Sequence, residues 1–191
     1  LVVPEVNPDA IQAEDYIIAN PNCSTIQLVH VLWPLHKNYR LKRVVVSTYQ
    51  SVTGSGHKGV GQLFAERHGE RAEMAYPHPI DLNCLPHGGA FQENGYTREE
   101  EKLVQESRKI MNVEDLRLTA TAVRVPVAGG HSESVNAEFQ NPLIIDDVRK
   151  VLAKTPNVTV LDDPSQNLYP MPLYVEDKDG SFVGRIRRDD T

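Results

Sequence analysis

The sequence predicts an α+β fold. Three observations lead there. Apolar residues recur at helical spacing after Asn22 and again after Thr97. β-Branched and alternating runs occupy residues 43–52 and 116–128. The two patterns mix without the regular strand–helix–strand rhythm of a parallel α/β sheet.

The elements follow in chain order. "LVV" (1–3) and "YIIA" (16–19) are short apolar runs beside Pro and Asn, and are expected to be short buried strands. Asn22 is placed to cap a helix in which Ile26, Val29, Leu32 and Trp33 share a face. Pro34 is expected to end or kink it. "RVVVSTYQSV" (43–52) reads as a buried strand. "GSGHKGVGQLFAERHGER" reads as a glycine loop opening into a second helix. Residues 77–96, rich in Pro, Gly and Asn, read as a long irregular connection, a kind of segment that often carries function. Thr97 and Glu100 form a capping box, and Leu103, Val104, Ser107, Ile110 and Met111 line one face of the helix they start. "LRLTATAVRVPVA" (116–128) and "SESVNAEF" (132–139) read as strands joined by a tight turn at Ala128-Gly129-Gly130. Asp146 or Asp147 is expected to cap a short helix containing Val148, Val151 and Leu152. "NVTVL" (157–161) and "SFVGRIR" (181–187) complete the strands, the latter after the turn signal Asp179-Gly180. No repeat or low-complexity segment interrupts the chain.

Bulk properties limit the partners. With 191 residues, 40% hydrophobic and 24% charged, the chain suits one domain, or one domain and a fragment of another. A net charge of -6 argues against nucleic acid or an anionic membrane as the main partner. No apolar run reaches the length needed to span a bilayer. The N-terminus "LVVPEVNPDA" lacks the features of a signal peptide and an initiating Met, which reads as a piece of a longer chain. Cys23 and Cys84 are too few for a disulfide framework, so a reducing cytoplasm is the expected location.

A few residues suggest chemistry. Cys23 follows the capping Asn22, at a helix start where unpaired N–H groups favour a thiolate. Position favours a nucleophile over a small buried hydrophobe there; Cys84, in a Pro-rich loop, is expected to be structural. His131, at a strand end after two glycines, is a possible proton carrier for a thiol, and a Cys–His pair is the minimal apparatus of covalent acyl chemistry. Arg124 shares a strand face with Leu116, Leu118, Ala120 and Ala122; inward, its guanidinium needs an anion, either a protein carboxylate or a ligand's. Glu99 and Lys102 lie on one side of the Thr97 helix, spaced to hold an amine and a phosphate or to pair on the surface. "GSGHKGVG" (54–61) contains G-x-G-x-x-G, but no second strand with an acidic end follows, so a loop of small residues beside a reactive centre is the better reading. His78, Cys84 and His87 match no zinc spacing, so no metal is expected.

Five motifs stand in order: "NPNCSTIQ", "STYQSVTGSGHKG", "YTREEEKLVQESRKIM", "VRVPVAGGHSESV" and "VGRIRRD". Together they resemble the catalytic and dimerisation region of the aspartate-β-semialdehyde dehydrogenases, over essentially the whole chain. The resemblance implies a mixed, largely antiparallel sheet covered by helices, like the catalytic domain of glyceraldehyde-3-phosphate-dehydrogenase-like enzymes. It makes Cys23 the nucleophile and His131 the acid/base, with Gln50 positioning substrate at the thiol. Arg124 would clamp the α-carboxylate, Glu99 would receive the amino group, and Lys102 would help bind phosphate; Glu100 remains open as the amine partner. Ser51, Gly54, Ser55 and Gly56 would touch the cofactor, NADP. The reaction implied is NADPH-dependent reductive dephosphorylation of β-aspartyl phosphate to aspartate semialdehyde through a Cys thioester, in amino-acid biosynthesis, by a homodimer.

The family's N-terminal glycine fingerprint and phosphate-binding arginine are absent from this sequence. Residues 1–21 therefore resemble remnant strands of a dinucleotide-binding domain, and 22–191 the catalytic and dimerisation domain. The isolated chain is expected to be inactive or nearly so. Two other readings carry different expectations. A cysteine hydrolase using Cys23 and His131 would transfer acyl groups to water without a cofactor. A non-catalytic dimerisation module would use the 116–128 strand as an interface.

Overall fold

The computed structural model describes residues 1–190. Its helices and strands, in chain order, are α1 (Cys23–Tyr39), β1 (Leu41–Gln50), α2 (Gly56–Arg67), α3 (Arg98–Met111), β2 (Arg117–Arg124), β3 (Ser132–Phe139), α4 (Ile145–Ala153), β4 (Val158–Val160), α5 (Pro172–Val175) and β5 (Ser181–Val183). The fold is α+β with a mixed sheet, as expected. β1 is the central strand, parallel to β2 and antiparallel to β3. β4 and β5 form a separate parallel pair. The isolated bridges Leu85–Arg124, Phe91–Thr97 and Asp163–Leu168 are antiparallel.

The period of two assigns the faces of the sheet. Val44, Val46 and Ala120 point inward, where they meet Leu28, Val29 and Leu32 of α1 and Leu103, Ile110 and Met111 of α3. Fully burying a side chain of this size stabilises by about 1.5–3 kcal/mol. The other face carries Tyr49, Thr119, Thr121 and Asn136 and is more open to solvent.

Some local expectations are corrected. The runs at 1–3 and 16–19 form no strands. A single backbone hydrogen bond, from the Val2 N–H to the Ala19 carbonyl at 3.3 Å, joins them. Tyr16 and Ile17 lie 97% and 87% exposed, while Val3 and Val6 enter the core. Without a ladder to pair with, the apolar run has no face to bury. Pro34 neither ends nor breaks α1, which continues to Tyr39. Leu35 of the following turn is buried against Val148, Leu152 and Val158, and that packing holds the helix past the missing N–H. Neither Asp146 nor Asp147 caps α4. Ile144 holds that position, and the two aspartates pair one turn on with Arg149 and Lys150 at 2.9 and 2.8 Å.

The long connection at 77–96 is irregular but anchored. Gln62 of α2 accepts the N–H groups of Ala75 and Tyr76, and Glu66 accepts those of Ile80 and Asp81, at 2.7–3.0 Å. Leu85 then exchanges two backbone hydrogen bonds with Arg124, which extends the far edge of β2.

Candidate active site

Asn22 builds the first part of the site. Its side-chain oxygen accepts the N–H groups of Ser24 (3.0 Å) and Thr25 (3.2 Å), which fixes the first turn of α1 and sets Cys23 at its first position. Two carboxylates of α3 hold Asn22 in turn. Its backbone N–H donates to Glu106 at 2.7 Å, and its side-chain amide reaches Glu99 at 3.5 Å.

His131 comes from the other end of the fold. Gly129 and Gly130 precede it with φ of +81° and +68°, so the tight turn requires glycine. The turn delivers the imidazole to the thiol, with Nε2 3.1 Å from the Cys23 Sγ across 108 residues of sequence. The Nδ1 atom accepts the Ser51 backbone N–H at 3.1 Å. That places the proton of the neutral ring on Nε2, facing sulfur.

Gln50 and Arg124 are register partners at the ends of β1 and β2. Gln50 is buried, and its amide donates to the Ser24 hydroxyl at 3.2 Å, just behind Cys23. Arg124 is only 7% exposed. Its Nη1 donates to the Ser51 carbonyl at 2.7 Å, and its guanidinium lies 5.9 Å from the centre of the Tyr76 ring. Its Nε has no partner, and no carboxylate pairs with it among the described residues. Among the described residues Arg124 therefore has no internal salt bridge. A cavity of about 390 Å³ opens onto Arg124, lined by Ser55, Tyr76, His87, Gly88 and Ala90 among others.

The neighbouring glutamates Glu99 and Glu100 are placed differently. Glu100 is buried and accepts the N–H groups of Thr97 (2.6 Å) and Ala122 (2.8 Å), so its carboxylate is occupied by the frame. Glu99 lies at the site, with a carboxylate oxygen only 3.0 Å from where a side-chain carbon on Gly88 would stand. Lys102 is exposed one turn along and makes no ion pair among the described residues.

The loop after β1 is shaped around these groups. A side-chain carbon at Gly54 would lie 3.2 Å from both the Arg124 Nη1 and the His131 Cε1. Ser51 is buried against His131, Ser55 lines the Arg124 cavity, and Gly56, at φ +69°, has open space beside it. His87 stacks on Phe91 at 4.8 Å, and no cluster of three potential metal ligands occurs among the described residues.

The electrostatics differ from the helix-end thiolate expected from sequence. Although Cys23 is reached by solvent, burial around its sulfur and the nearby Glu99 carboxylate push its thiol up. The Ser24 N–H at the helix end lowers it, but by less. Burial, then the Arg124 charge, pushes His131 down, against a smaller opposing effect of Glu99. Both shifts favour a neutral thiol beside a neutral imidazole when no ligand is bound.

Glu106, Tyr76 and Gly88 were not singled out from sequence. Glu106 was legible in principle, since it lies two helical turns beyond Glu99 on the same side of α3.

The model for the semialdehyde dehydrogenase dimerisation domain matches residues 32–191. The chain belongs to this family. The family match begins within α1 and takes in Gln50, Glu99, Arg124 and His131; Cys23 lies just before it. Among curated relatives, the aspartate-semialdehyde dehydrogenase of Aquifex aeolicus is 48% identical over 197 residues, covering 99% of this chain and 58% of the relative. The chain thus spans about three fifths of the length of the curated relatives it matches. A Vibrio cholerae aspartate semialdehyde dehydrogenase II complexed with ASA superposes with a TM-score of 0.92 at 38% identity, over 99% of this chain and 58% of that one. The Candida albicans enzyme with NADP gives 0.71 at 26%, with the same coverage.

Proposed function

We propose that the chain is the thiol-bearing part of an aspartate-β-semialdehyde dehydrogenase. In this reading it carries the NADPH-dependent reductive dephosphorylation of β-aspartyl phosphate to aspartate semialdehyde, and the reverse reaction with phosphate. The observation that carries the reading is a buried Arg124 with no carboxylate partner beside a Cys23–His131 pair at 3.1 Å, with Glu99 near that pair. A substrate with one carboxylate, one ammonium and one electrophilic acyl carbon matches those three features. The relatives named above support it.

Each residue then has a task. Arg124 binds the α-carboxylate by charge-assisted hydrogen bonds from its unpartnered edge. Glu99 takes the ammonium. Gln50, held by Ser24, orients the acyl group over sulfur. The Cys23 thiolate attacks the acyl carbon, the bond to the phosphate oxygen breaks, and phosphate leaves with its electron pair. The product is a thioester, more electrophilic than a carboxylate or an oxygen ester. Lys102, one turn from Glu99, supplies the positive charge for the leaving phosphate. His131 moves the thiol proton and later serves the oxygen that forms on the acyl carbon.

The cofactor has room here. The side-chain carbon missing at Gly54 leaves the Arg124–His131 edge flat, and Gly56 is open. Ser51, Gly54, Ser55 and Gly56 are the residues assigned to the nicotinamide side of NADP, with most of its binding made elsewhere in the full-length enzyme. NADPH, when bound, supplies hydride to the acyl carbon. No metal is assigned.

The same reading makes residues 1–21 a strap that belongs with the cofactor domain, and 22–191 the catalytic and dimerisation unit. The exposed Ile17 and Tyr16 support contact with further protein. The open face around Tyr49 and Thr121 is assigned to a homodimer interface. A cytoplasmic location fits two unpaired cysteines; no helix among the described residues is long and apolar enough to cross a membrane.

In this reading the isolated chain lacks dehydrogenase turnover but keeps the acyl-transfer half of the reaction, and the test is a phosphate-release assay on the chain mixed with β-aspartyl phosphate and no cofactor. One phosphate released per chain, abolished in Cys23→Ala and retained in Cys84→Ala, is the expected result. Continued turnover to aspartate would instead support a cysteine hydrolase and overturn the reading, as would no release at all.

A further inference from the structure

The second nitrogen of His131 faces an unusual set of partners. In a Ser–His or Cys–His pair backed by a carboxylate, the acid accepts the Nδ1 proton and frees Nε2 to act as base. Here no carboxylate hydrogen-bonds to Nδ1 among the described residues. The Ser51 backbone N–H points at it from 3.1 Å, and the Ser51 hydroxyl stands 3.2 Å away. That hydroxyl is buried and lies 2.6 Å from the Thr53 hydroxyl. Thr53 itself is exposed.

The consequence is one of proton placement. A backbone N–H always donates. It favours the ring form with the proton on Nε2, and in that form the nitrogen facing the Cys23 sulfur has no lone pair free to take the thiol proton. A proton on Nδ1 needs an acceptor, and the Ser51 hydroxyl oxygen is the acceptor within reach.

We propose that Ser51, backed by Thr53, is a positioning residue that lets His131 switch between its acid and base forms. In the acid form Nε2 holds the proton, the Ser51 O–H donates to Nδ1, and the Thr53 O–H donates to the Ser51 oxygen. The base form is reached by relay: Nδ1 takes the Ser51 hydroxyl proton, the Ser51 oxygen takes the Thr53 proton, the exposed Thr53 takes one from solvent water, and the Nε2 proton passes to solvent. Nδ1–H donates to the Ser51 oxygen, the Ser51 O–H donates to the Thr53 oxygen, and Nε2 is free. The Cys23 S–H bond then breaks, its proton goes to Nε2, its electron pair stays on sulfur, and the resulting imidazolium keeps its Nδ1–H on Ser51. Solvent water accepts one proton and supplies one in the exchange, so no co-reactant is consumed.

The assignment rests on the Cys23–His131 reading and makes that pair depend on a hydroxyl outside it. The charged groups that face the pair are Glu99 from α3 and Arg124 from β2. Neither is in hydrogen-bond contact with Nδ1, so neither substitutes for Ser51. The other loop residues assigned to the cofactor keep their places in this scheme.

The experiment is the iodoacetamide alkylation rate of Cys23 against pH, read peptide by peptide with Cys84 as internal control, in the 191-residue chain. It compares wild type, Ser51→Ala, Ser51→Thr, Thr53→Val and His131→Ala, with circular dichroism as a fold control. A hydrogen bond to a charged group is worth roughly tenfold or more in the equilibrium it supports. Ser51→Ala should slow Cys23 by roughly that factor near neutral pH and move its profile to higher pH. Ser51→Thr should restore it. Thr53→Val should shift it the same way by less, and it carries the test if Ser51→Ala does not fold. Cys84 should not change. Coincident profiles for wild type, Ser51→Ala and Thr53→Val, with His131→Ala displaced, would overturn the Ser51 assignment alone. A His131→Ala profile identical to wild type would overturn the dyad and the assignment together. A Ser51→Thr profile as low as that of Ser51→Ala would show that volume, not the hydroxyl, matters, and would also overturn it.

Discussion

Glu133 is a carboxyl placed where a carboxylate is costly. It lies on β3, in register opposite Thr48 of β1, so both side chains take the inward face. One oxygen, Oε1, is buried without a partner, as is the Thr48 hydroxyl. Gln27, one helical turn after Cys23, hydrogen-bonds the carboxyl, but burial outweighs that bond and pushes Glu133 up to about 8 from its ordinary 4.5. An unfolded chain at pH 7 has this group ionised, and folding must return a proton to it. The cost is 2.303RT for each pH unit between 4.5 and 7, about 3 kcal/mol. The sign follows from the direction. A raised carboxyl favours the folded state at low pH, and its penalty grows as pH rises through 4.5 and levels off above about 8. Glu133→Gln keeps the shape and the bond to Gln27 but cannot ionise. Urea unfolding of both proteins should show Glu133→Gln more stable by about 3 kcal/mol at pH 7, with the gap closing to under about 1 kcal/mol at pH 5. A gap that does not change with pH, or a Gln variant less stable at pH 7, would mean that the carboxylate is ionised and satisfied in the fold, and the reasoning would fail.

Four other perturbations separate frame from site. Glu100→Ala strands two buried N–H groups, on Thr97 and Ala122, and should cost about 2–4 kcal/mol in unfolding free energy. Glu99→Ala should change stability by less than about 0.5 kcal/mol yet abolish acylation of Cys23 by an amine-bearing substrate, with an analogue lacking the amine as the comparison. Gly54→Ala has a permitted backbone but puts a carbon 3.2 Å from Arg124 and His131; acylation should fall by roughly tenfold or more with little change in melting temperature. Asn22→Ala removes the cap from Ser24 and Thr25 and should lower stability by about 1 kcal/mol, with a parallel fall in the Cys23 alkylation rate.

What the sequence revealed was local. The start of α1 at Asn22 and the Thr97–Glu100 box are decided by neighbours three residues apart, and both stand where expected. The glycine turn before His131 is legible for the same reason. Pro34 misled because its effect is local but the packing of Leu35 is not. The apolar run at 16–19 misled because composition suggests burial without naming a partner. The site was legible as residue types and order, through the five motifs, but not as contacts. No pattern shows that Cys23 and His131 meet, that Arg124 lacks a carboxylate, or that Glu100 faces the frame while Glu99 faces the site. Those facts depend on register between β1 and β2 and on the docking of α3 against α1. Alternation in "SESVNAEF" already puts Glu133 on one face with Val135 and Ala137; only the fold shows that its carboxyl is enclosed.

The central claim is that Cys23, flanked by Glu99 and Arg124, receives the acyl group. Intact and peptide mass spectrometry after mixing the chain with β-aspartyl phosphate tests it most directly. The account predicts one aspartyl group on Cys23, none on Cys84, and loss of the adduct in Arg124→Leu and Glu99→Ala. An adduct on Cys84, equal labelling of both cysteines, or none on either would contradict it.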